Sequence, residues 1–157
     1  MPEITPERWG DLYDRAFPQV YRALVAATFD RERALDGLHD AFEEGLRRPP
    51  ADDRNLEGWL YRVALRKTRR GLFRARREAP IGDASSMDDV AAVIQRLEVG
   101  RLLSLLTERQ RAIVVAHYYL GLTQDEIAES LGVRRGTVSA TVSQSLAHMR
   151  NEVTARG

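Results

Sequence analysis

Several residue types and sequence patterns are absent or rare in this chain, and their absence excludes several classes of protein. It contains no cysteine among its 157 residues, so it has neither a disulfide framework nor a thiolate metal site. No apolar run approaches the ~20 residues of a membrane-spanning helix, and no signal-peptide pattern starts the sequence. Glycine and proline, at 11 and 6 residues, are too sparse for a fold of many short strands and turns. We therefore expect an all-α protein without membrane insertion, and the lack of cysteine fits a cytoplasmic location.

Residues that could carry catalysis are also sparse. The histidines His39, His117 and His148 lie far apart and share no spacing with carboxylates. The sequence has no glycine-rich loop that could cradle a phosphate and no cluster of metal ligands. We predict that the protein is not an enzyme and has no catalytic residue, metal or cofactor. His117 and His148 are interpreted as packing or surface residues.

The net charge of +1 conceals an uneven distribution. Residues 1–53 carry 7 basic and 12 acidic side chains, residues 54–77 carry 9 and 1, and residues 78–157 carry 8 and 10. One short positive segment in an otherwise acidic chain is typical of a site for a polyanion such as nucleic acid.

The most informative stretch is residues 121–138, GLTQDEIAESLGVRRGTV. Thr123 can cap a helix, Glu126 can complete a capping box, and Gly132 can supply the left-handed residue that ends the helix. Helical spacing then resumes at Val138, Val142, Leu146 and Met149. Two short helices joined by a glycine-containing turn are typical of a DNA-binding helix-turn-helix, although an ordinary helical hairpin shares this pattern.

Helical periodicity covers most of the remaining chain. The first region has a set of residues that we expect in the core: Trp9, Leu12, Tyr13, Ala16, Phe17, Val20, Tyr21, Leu24, Val25 and Thr28. Pro18 interrupts this set and is expected to kink the helix or to start a second one. The next helix has an apolar stripe of Ala34, Leu35, Leu38, Ala41, Phe42 and Leu46. Further helices are predicted at about 56–76 and 89–105.

Two parts of the chain resemble one family. Residues 103–150 resemble domain 4 of bacterial RNA polymerase sigma factors, since ERQR at 108–111, GLTQDEIAESLG and GTV keep that family's spacing. Residues 30–46, DRERALDGLHDAFEEGL, are similar to the part of sigma domain 2 that grips the polymerase. Residues 58–64, GWLYRVA, resemble that domain's tryptophan helix. Both domains in this order match the extracytoplasmic-function type.

This resemblance implies a domain organisation and a set of partners. Domain 2 would occupy residues 1–77, a linker and the start of the next helix residues 78–96, and domain 4 residues 97–157. The implied function is a transcription initiation factor that binds core RNA polymerase and directs promoter recognition and melting. Its partners would be the clamp of the largest polymerase subunit, the flap of the second-largest, and promoter DNA. An anti-sigma factor is a further candidate partner.

The resemblance also assigns roles to the acidic face of the second helix. By analogy with the family, this face binds core polymerase through Asp36, His39, Asp40 and Glu43. His39 stands where the family usually has glutamine, and Asp40 where it usually has glutamate. A solvated acidic helix face would show the same pattern.

The basic third helix is predicted to recognise the −10 element and to hold melted DNA. Arginines interleaved with aromatic rings suit single-stranded DNA, because the charge follows the backbone while rings stack on bases. The predicted residues are Trp59, Arg62, Arg66, Arg69, Arg70, Phe73 and Arg74. Arg66 and Arg70 stand where the family often has Asn and Asp. A solvated charged face is the alternative, although five arginines on one stripe without acidic partners would repel each other.

The helix-turn-helix is predicted to read the −35 element. Phosphate contacts are assigned to Arg109, Arg111, Arg134 and Arg135, and groove contacts to Thr137, Ser139, Thr141, Ser143 and Gln144. This recognition helix departs from the family, which usually places several basic residues here. Fewer charges predict weaker and less salt-sensitive binding by this domain alone.

Two other functions fit parts of the sequence. One is a stand-alone helix-turn-helix regulator, which would not need the acidic helix followed by the tryptophan helix. The other is a sigma-like interaction module that does not initiate transcription, an alternative consistent with the sparsely charged recognition helix.

Overall fold

The computed structural model describes residues 3–51, 53–78 and 98–156, without the side chains of residues 69–78. These ranges form seven helices and no strand, which confirms the all-α prediction. We number them α1 (Pro6–Thr28), α2 (Arg31–Arg47), α3 (Leu56–Glu78), α4 (Glu98–Ser104), α5 (Glu108–Tyr118), α6 (Gln124–Leu131) and α7 (Arg135–Arg156). Most of the predicted linker at 78–96, and the first part of the helix predicted at 89–105, lie outside the described residues.

Helix α1 is continuous through its proline. Thr5 caps it by accepting a hydrogen bond from the Arg8 amide, and Pro6 occupies the first turn, where its missing N–H costs nothing. Pro18 lies inside the helix and is exposed, while Ala16 and Val20 beside it are buried. The prediction of a second helix starting at Pro18 was therefore wrong, because packing on both sides of the proline holds the chain helical.

Helices α1, α2 and α3 form an N-terminal bundle in which α2 packs closely on both neighbours. Gly37 of α2 lies so near α3 that an added Cβ would stand 2.9 Å from the Ala64 carbonyl oxygen. Gly45 lies against the indole ring of Trp9, whose Nε1 donates to the Phe42 carbonyl oxygen at 3.0 Å. Leu46, predicted to be in the core, is instead 46% exposed because Gly45 takes the core-facing position at this turn.

Helices α4 to α7 form a C-terminal bundle whose short helices begin with capping boxes. Thr107 and Gln110 cap α5 reciprocally, and Thr123 and Glu126 do the same for α6, with both bonds 3.1 Å long. Gly132 ends α6 with a φ of 66°, in the left-handed region that favours glycine. The predicted capping box and glycine terminus of α6 are thus confirmed. The capping box of α5 was not predicted, although Thr107 and Gln110 stand at the required spacing in the sequence.

The buried faces of the two bundles meet in one hydrophobic core. α5 packs against α1, and α6 packs against α3. Leu60 and Tyr61 of α3 and Ile113 and Ile127 of the C-terminal bundle are each at most 1% exposed. The bundles therefore stabilise each other, because each covers apolar surface that the other would leave in water.

The Trp9–Gly45 contact predicts opposite effects for two glycine substitutions. Gly45→Ala should destabilise the protein by about 1–3 kcal/mol, because its methyl group would overlap the Trp9 ring. Gly10→Ala in α1 should instead stabilise it by about 0.5–1 kcal/mol, since nothing lies within 4 Å of the added Cβ and alanine favours helix. Urea unfolding of both variants provides the measurement. Equal effects would contradict the described packing.

Glu126 predicts a pH-dependent contribution of the α6 cap. Burial acts to raise the pKa of its carboxyl, but bonds from Thr123 and Asn55 and the charge of Arg62 together lower it below 4.5. A lowered folded-state pKa stabilises the fold above pH 4.5, and this stabilisation is lost as the pH falls through the folded-state value. Glu126→Gln should therefore destabilise the fold at pH 7 and have a smaller effect at about pH 3, where the carboxyl is protonated in the unfolded chain. The measurement is the free energy of unfolding of wild type and variant at both pH values. An equal difference between the two proteins at pH 7 and at pH 3 would contradict the prediction.

Candidate nucleic-acid interface

Helices α6 and α7 form a helix-turn-helix. Ala128 is buried where the two helices meet, and Gly132 begins the turn between them. The carbonyl oxygen of Arg134 accepts from the amides of Thr137 and Val138 at 3.0 and 3.2 Å, so α7 starts directly after the turn. The inward face of α7 carries the buried residues Val138, Val142 and Ser145.

The outward face of α7 is polar and almost uncharged. Thr137, Ser139, Ser143 and Gln144 are exposed, whereas Thr141 is half-buried and its hydroxyl donates to the Thr137 carbonyl oxygen at 2.7 Å. Hydroxyl and amide groups of this size can approach base edges closely in the major groove. These side chains lie on a face that is open to solvent. Their contacts with the −35 element stay a prediction.

The four arginines predicted to contact phosphates near the −35 element have different environments. Arg109, Arg134 and Arg135 are exposed, with the Arg135 Nε atom 3.7 Å from Asp125. Arg111 is turned inward: its Nε donates to the Ala27 carbonyl oxygen at 2.9 Å, and its Nη1 to that of Leu106 at 2.8 Å. Two of the five N–H groups of Arg111 therefore donate to backbone carbonyls in this arrangement.

Arg111 is also held over an aromatic ring. Its guanidinium carbon lies 4.2 Å from the centre of the Phe29 ring, a cation–π geometry. Burial lowers the pKa of this arginine below its usual value, with Arg33 acting in the same direction and Glu108 opposing it. The hydrogen bonds to carbonyl oxygens and the contact with the ring offset the free-energy cost of removing this cation from water.

The basic helix α3 has an apolar inner face, as predicted. Leu60, Val63, Ala64 and Leu65 are buried, while Arg66 is exposed and Arg62 is half-buried. The Arg62 Nη2 atom lies 3.9 Å from Glu129 of α6, so this arginine has an acidic neighbour that the sequence did not reveal. Four residues predicted to contact DNA lie on α3 with side chains outside the described set: Arg69, Arg70, Phe73 and Arg74.

Trp59, predicted to stack on DNA bases, is half-buried against the N-terminal core. Its ring meets that of Trp9 edge to face, with centroids 5.4 Å apart. This packing orients the indole and leaves only part of it accessible to a base.

The four residues predicted to bind core polymerase share an exposed face of α2. Asp36, His39, Asp40 and Glu43 are all exposed, opposite the buried Ala34, Leu38 and Ala41. The structure thus gives them a common surface, and polymerase binding by that surface stays a prediction.

Polar contacts between the bundles accompany the shared core. Arg33 of α2 donates to both carboxylate oxygens of Glu108, at 3.1 and 2.5 Å. The Tyr61 hydroxyl donates to the Ala112 carbonyl oxygen at 2.8 Å, and burial raises the pKa of that hydroxyl. Asn55 donates to Glu126 at 2.9 Å. We call these three contacts, with those of Arg111 and Arg62, the bundle interface.

The bundle interface was not anticipated from the sequence. Arg33 and Glu108 are 75 residues apart and Arg111 and Ala27 are 84 residues apart, distances at which no local pattern indicates contact. In the structure these charged side chains are half-buried and paired. That burial is what distinguishes them from charges on the solvated surface.

The described ranges hold no group of three histidine, aspartate or glutamate side chains placed to bind a metal ion. Among the same residues, no helix is both long and apolar enough to cross a membrane. His117 is half-buried with its ring edge-on to Tyr118 at 4.7 Å, and His148 is exposed, as predicted for packing and surface residues.

Comparison with known sequences agrees with the helix-turn-helix. The family model described as Sigma-70, region 4 matches residues 96–149. An RNA polymerase sigma-E factor of Streptomyces avermitilis is 33% identical over 111 residues, or 68% of this chain and 62% of that protein. The match thus spans less than two thirds of that relative. The ECF RNA polymerase sigma factor SigL of Mycobacterium tuberculosis is 25% identical over 150 residues, covering 88% of this chain and 85% of SigL.

Comparison with solved structures extends the likeness of fold to both bundles. The sigma factor RpoE of Bartonella quintana, solved with the anti-sigma factor NepR, has a TM-score of 0.67 and 15% identity, covering 88% of this chain and 92% of RpoE. CnrH, solved with the cytosolic domain of CnrY, has a TM-score of 0.58 and 19% identity, covering 96% and 90%. The fold, the helix-turn-helix and the sequence relatives agree, and the chain belongs to the extracytoplasmic-function group of RNA polymerase sigma factors.

Proposed function

We propose that this protein initiates transcription by binding core RNA polymerase, directing it to a promoter and helping to melt the start region. The observation that carries the proposal is the order of surfaces along one chain. An exposed acidic face on α2 is followed by the basic helix α3 and then by a helix-turn-helix with an outward polar face. A stand-alone regulator needs only the last of these.

The proposed division of labour follows the predicted domains. Residues 1–77 would act as domain 2, with α2 on the polymerase clamp and α3 on the −10 element and the opened strand. Residues 97–157 would act as domain 4, on the −35 element and the flap, after a connecting segment at 78–96. RNA synthesis itself would belong to the polymerase, and the protein would act in the cytoplasm beside it.

An anti-sigma factor is a proposed second partner. The RpoE structure contains a sigma factor with a bound anti-sigma factor, and the CnrH structure contains a complex with the cytosolic domain of CnrY. The fold of this chain covers most of both proteins, which supports a protein partner of the same kind here.

Run-off transcription with purified core polymerase tests the proposed function. Promoters selected from a random library by the reconstituted holoenzyme should yield transcripts only when this protein is added. Sequence-specific DNA binding without any transcript would instead indicate a stand-alone regulator. Polymerase binding without either activity would indicate an interaction module.

The α2 surface predicts a charge-reversal phenotype. Asp36→Lys with Asp40→Lys should weaken the complex with core polymerase by about 2 kcal/mol or more, roughly thirtyfold in Kd, because like charges would face each other. The matched control is Glu7→Lys with Asp11→Lys, an equal charge change at exposed positions of α1. Fluorescence titration of core enzyme provides the measurement. Equal affinity of a folded Asp36/Asp40 variant and wild type would refute the assignment.

The recognition helix predicts two distinguishable losses in the holoenzyme. Gln144→Ala should change the preference at one base pair of the −35 element, at a cost of about 1–3 kcal/mol. Arg135→Ala should weaken all promoters alike, because a phosphate contact carries no sequence information. His148→Ala, exposed on the same helix but outside the predicted set, is the control. Competition binding across a library of single-base promoter variants separates the patterns. A Gln144→Ala profile that matches wild type would show that this residue does not read DNA.

A further inference from the structure

Ala140 lies at the centre of the outward face of α7. Residues two positions away along a helix point about 200° around its axis. Both such neighbours of Ala140 are buried, since Val138 is 0% and Val142 6% exposed, whereas Ala140 itself is exposed. Its methyl group is therefore directed away from the bundle, toward the side that the second helix of a helix-turn-helix presents to the major groove.

The side chains that surround Ala140 on this face are small. Gly136, one turn earlier, has no atom within 4 Å of the position of an added Cβ. Ser143 and Ala147, in the following two turns, are also exposed. A face of glycine, alanine and serine lets the helix backbone approach a ligand closely, because no long side chain holds the two apart.

The same face has no side chain suited to guanine. Arginine or lysine donating to O6 and N7 is the commonest specific contact with guanine, and the chain has neither residue between Arg135 and Arg150. Arg135 lies at the very start of α7, with its Nε atom 3.7 Å from Asp125. Gln144, one turn after Ala140, is exposed, and its amide can pair with N6 and N7 of adenine.

Ala140 and Gln144 are spaced to face neighbouring base pairs. Four residues of helix rise about 6 Å, and successive base pairs of DNA are about 3.4 Å apart. Along the groove the two side chains therefore reach base pairs that are one or two steps apart. An alanine methyl group can make apolar contact with the C5-methyl group of thymine, a group that no G·C pair presents.

We propose that Ala140 is a specificity-determining residue whose methyl group contacts the methyl group of a thymine. With Gln144 it restricts the part of the −35 element that the two residues face to A·T pairs. The proposal rests on the proposed function in placing α7 in the major groove of that element. It adds a base preference, and a residue outside the set that the sequence predicted.

Replacement of thymine by deoxyuridine tests the methyl contact, because it removes one methyl group from the DNA and changes no hydrogen-bonding group. The element is first selected from a random duplex library by the full-length protein, with core polymerase and, in parallel, alone. Each thymine of the selected element is then replaced in turn. We expect one replacement to weaken binding about three- to fivefold, as for the loss of one buried methyl group. Equal affinity after every replacement would overturn the proposal, and this test needs no variant of the protein.

Ala140→Gly identifies the residue that makes the contact. Loss of the alanine methyl group should abolish the discrimination at that one position, so that the ratio of the Kd values for deoxyuridine and thymine falls to about one. Ala147→Gly is the matched control, because it places the same helix-weakening glycine on the same exposed face, and it should keep the wild-type ratio. A ratio measured within one variant does not respond to a general loss of helix stability. Discrimination that persists in Ala140→Gly would show that another residue contacts the thymine.

Gln144→Arg should change the base preference at the neighbouring position. Arginine donates to O6 and N7 of guanine where glutamine pairs with adenine. Selection with this variant should therefore replace one A·T pair of the element by G·C, with guanine on the strand that carried adenine. An unchanged selected sequence would show that residue 144 does not face a base, and would overturn the restriction to A·T pairs.

The outcomes separate this proposal from the proposed function. Selected guanine at the positions that face residues 140 and 144 would overturn the base preference even if the holoenzyme makes transcripts. Deoxyuridine sensitivity that depends on Ala140, measured with the protein alone, would support it even if no transcript forms. If neither selection enriches a sequence, the base preference is overturned, and co-elution with core polymerase then shows whether the polymerase-binding part of the proposed function survives.

Discussion

The guanidinium of Arg111 connects the two bundles. Because this charged group is partly removed from water, the residues around it must supply hydrogen-bond acceptors and an aromatic ring. Phe29, directly after α1, has a φ of 54°, a left-handed conformation that costs a residue other than glycine about 1 kcal/mol or more. This conformation ends α1 and leaves the Phe29 ring beneath Arg111, while Ala27 offers its carbonyl oxygen. The local backbone cost is offset by the cation–π contact and two charge-assisted hydrogen bonds.

Arginine suits the contacts between the bundles for a general chemical reason. Its planar guanidinium carries several N–H donors and stays charged, so it can bond carbonyl and carboxylate oxygens alike. At the bundle interface Arg111 donates to a backbone carbonyl oxygen, while Arg33 donates to the carboxylate of Glu108.

Local sequence signals predicted the helices and caps well. Thr123, Glu126 and Gly132 act within a few residues of each other, so their roles follow from short-range geometry. The stripe on α2 was predicted except at Leu46, where the sequence cannot show that Gly45 makes room for a tryptophan from another helix.

The candidate site was predicted less completely, and for a physical reason. Exposure of the α2 acids and of Ser139, Ser143 and Gln144 follows from helical periodicity, because the opposite faces are apolar. The inward orientation of Arg111 depends on a carbonyl 84 residues earlier in the chain, and such a contact exists only once the bundles have packed. The packing of Trp59 on Trp9 likewise depends on the arrangement of α1 against α3.

The central claim is that the two bundles share one hydrophobic core and hold one closed arrangement in the free protein. The absence of cysteine allows spin labels to be placed at Gln19→Cys in α1 and Asn151→Cys in α7, both exposed, with no background labelling. Pulsed electron resonance should give one narrow distance distribution for the free protein, because the shared core fixes the two bundles relative to each other. A broad distribution that extends to longer distances would contradict the account.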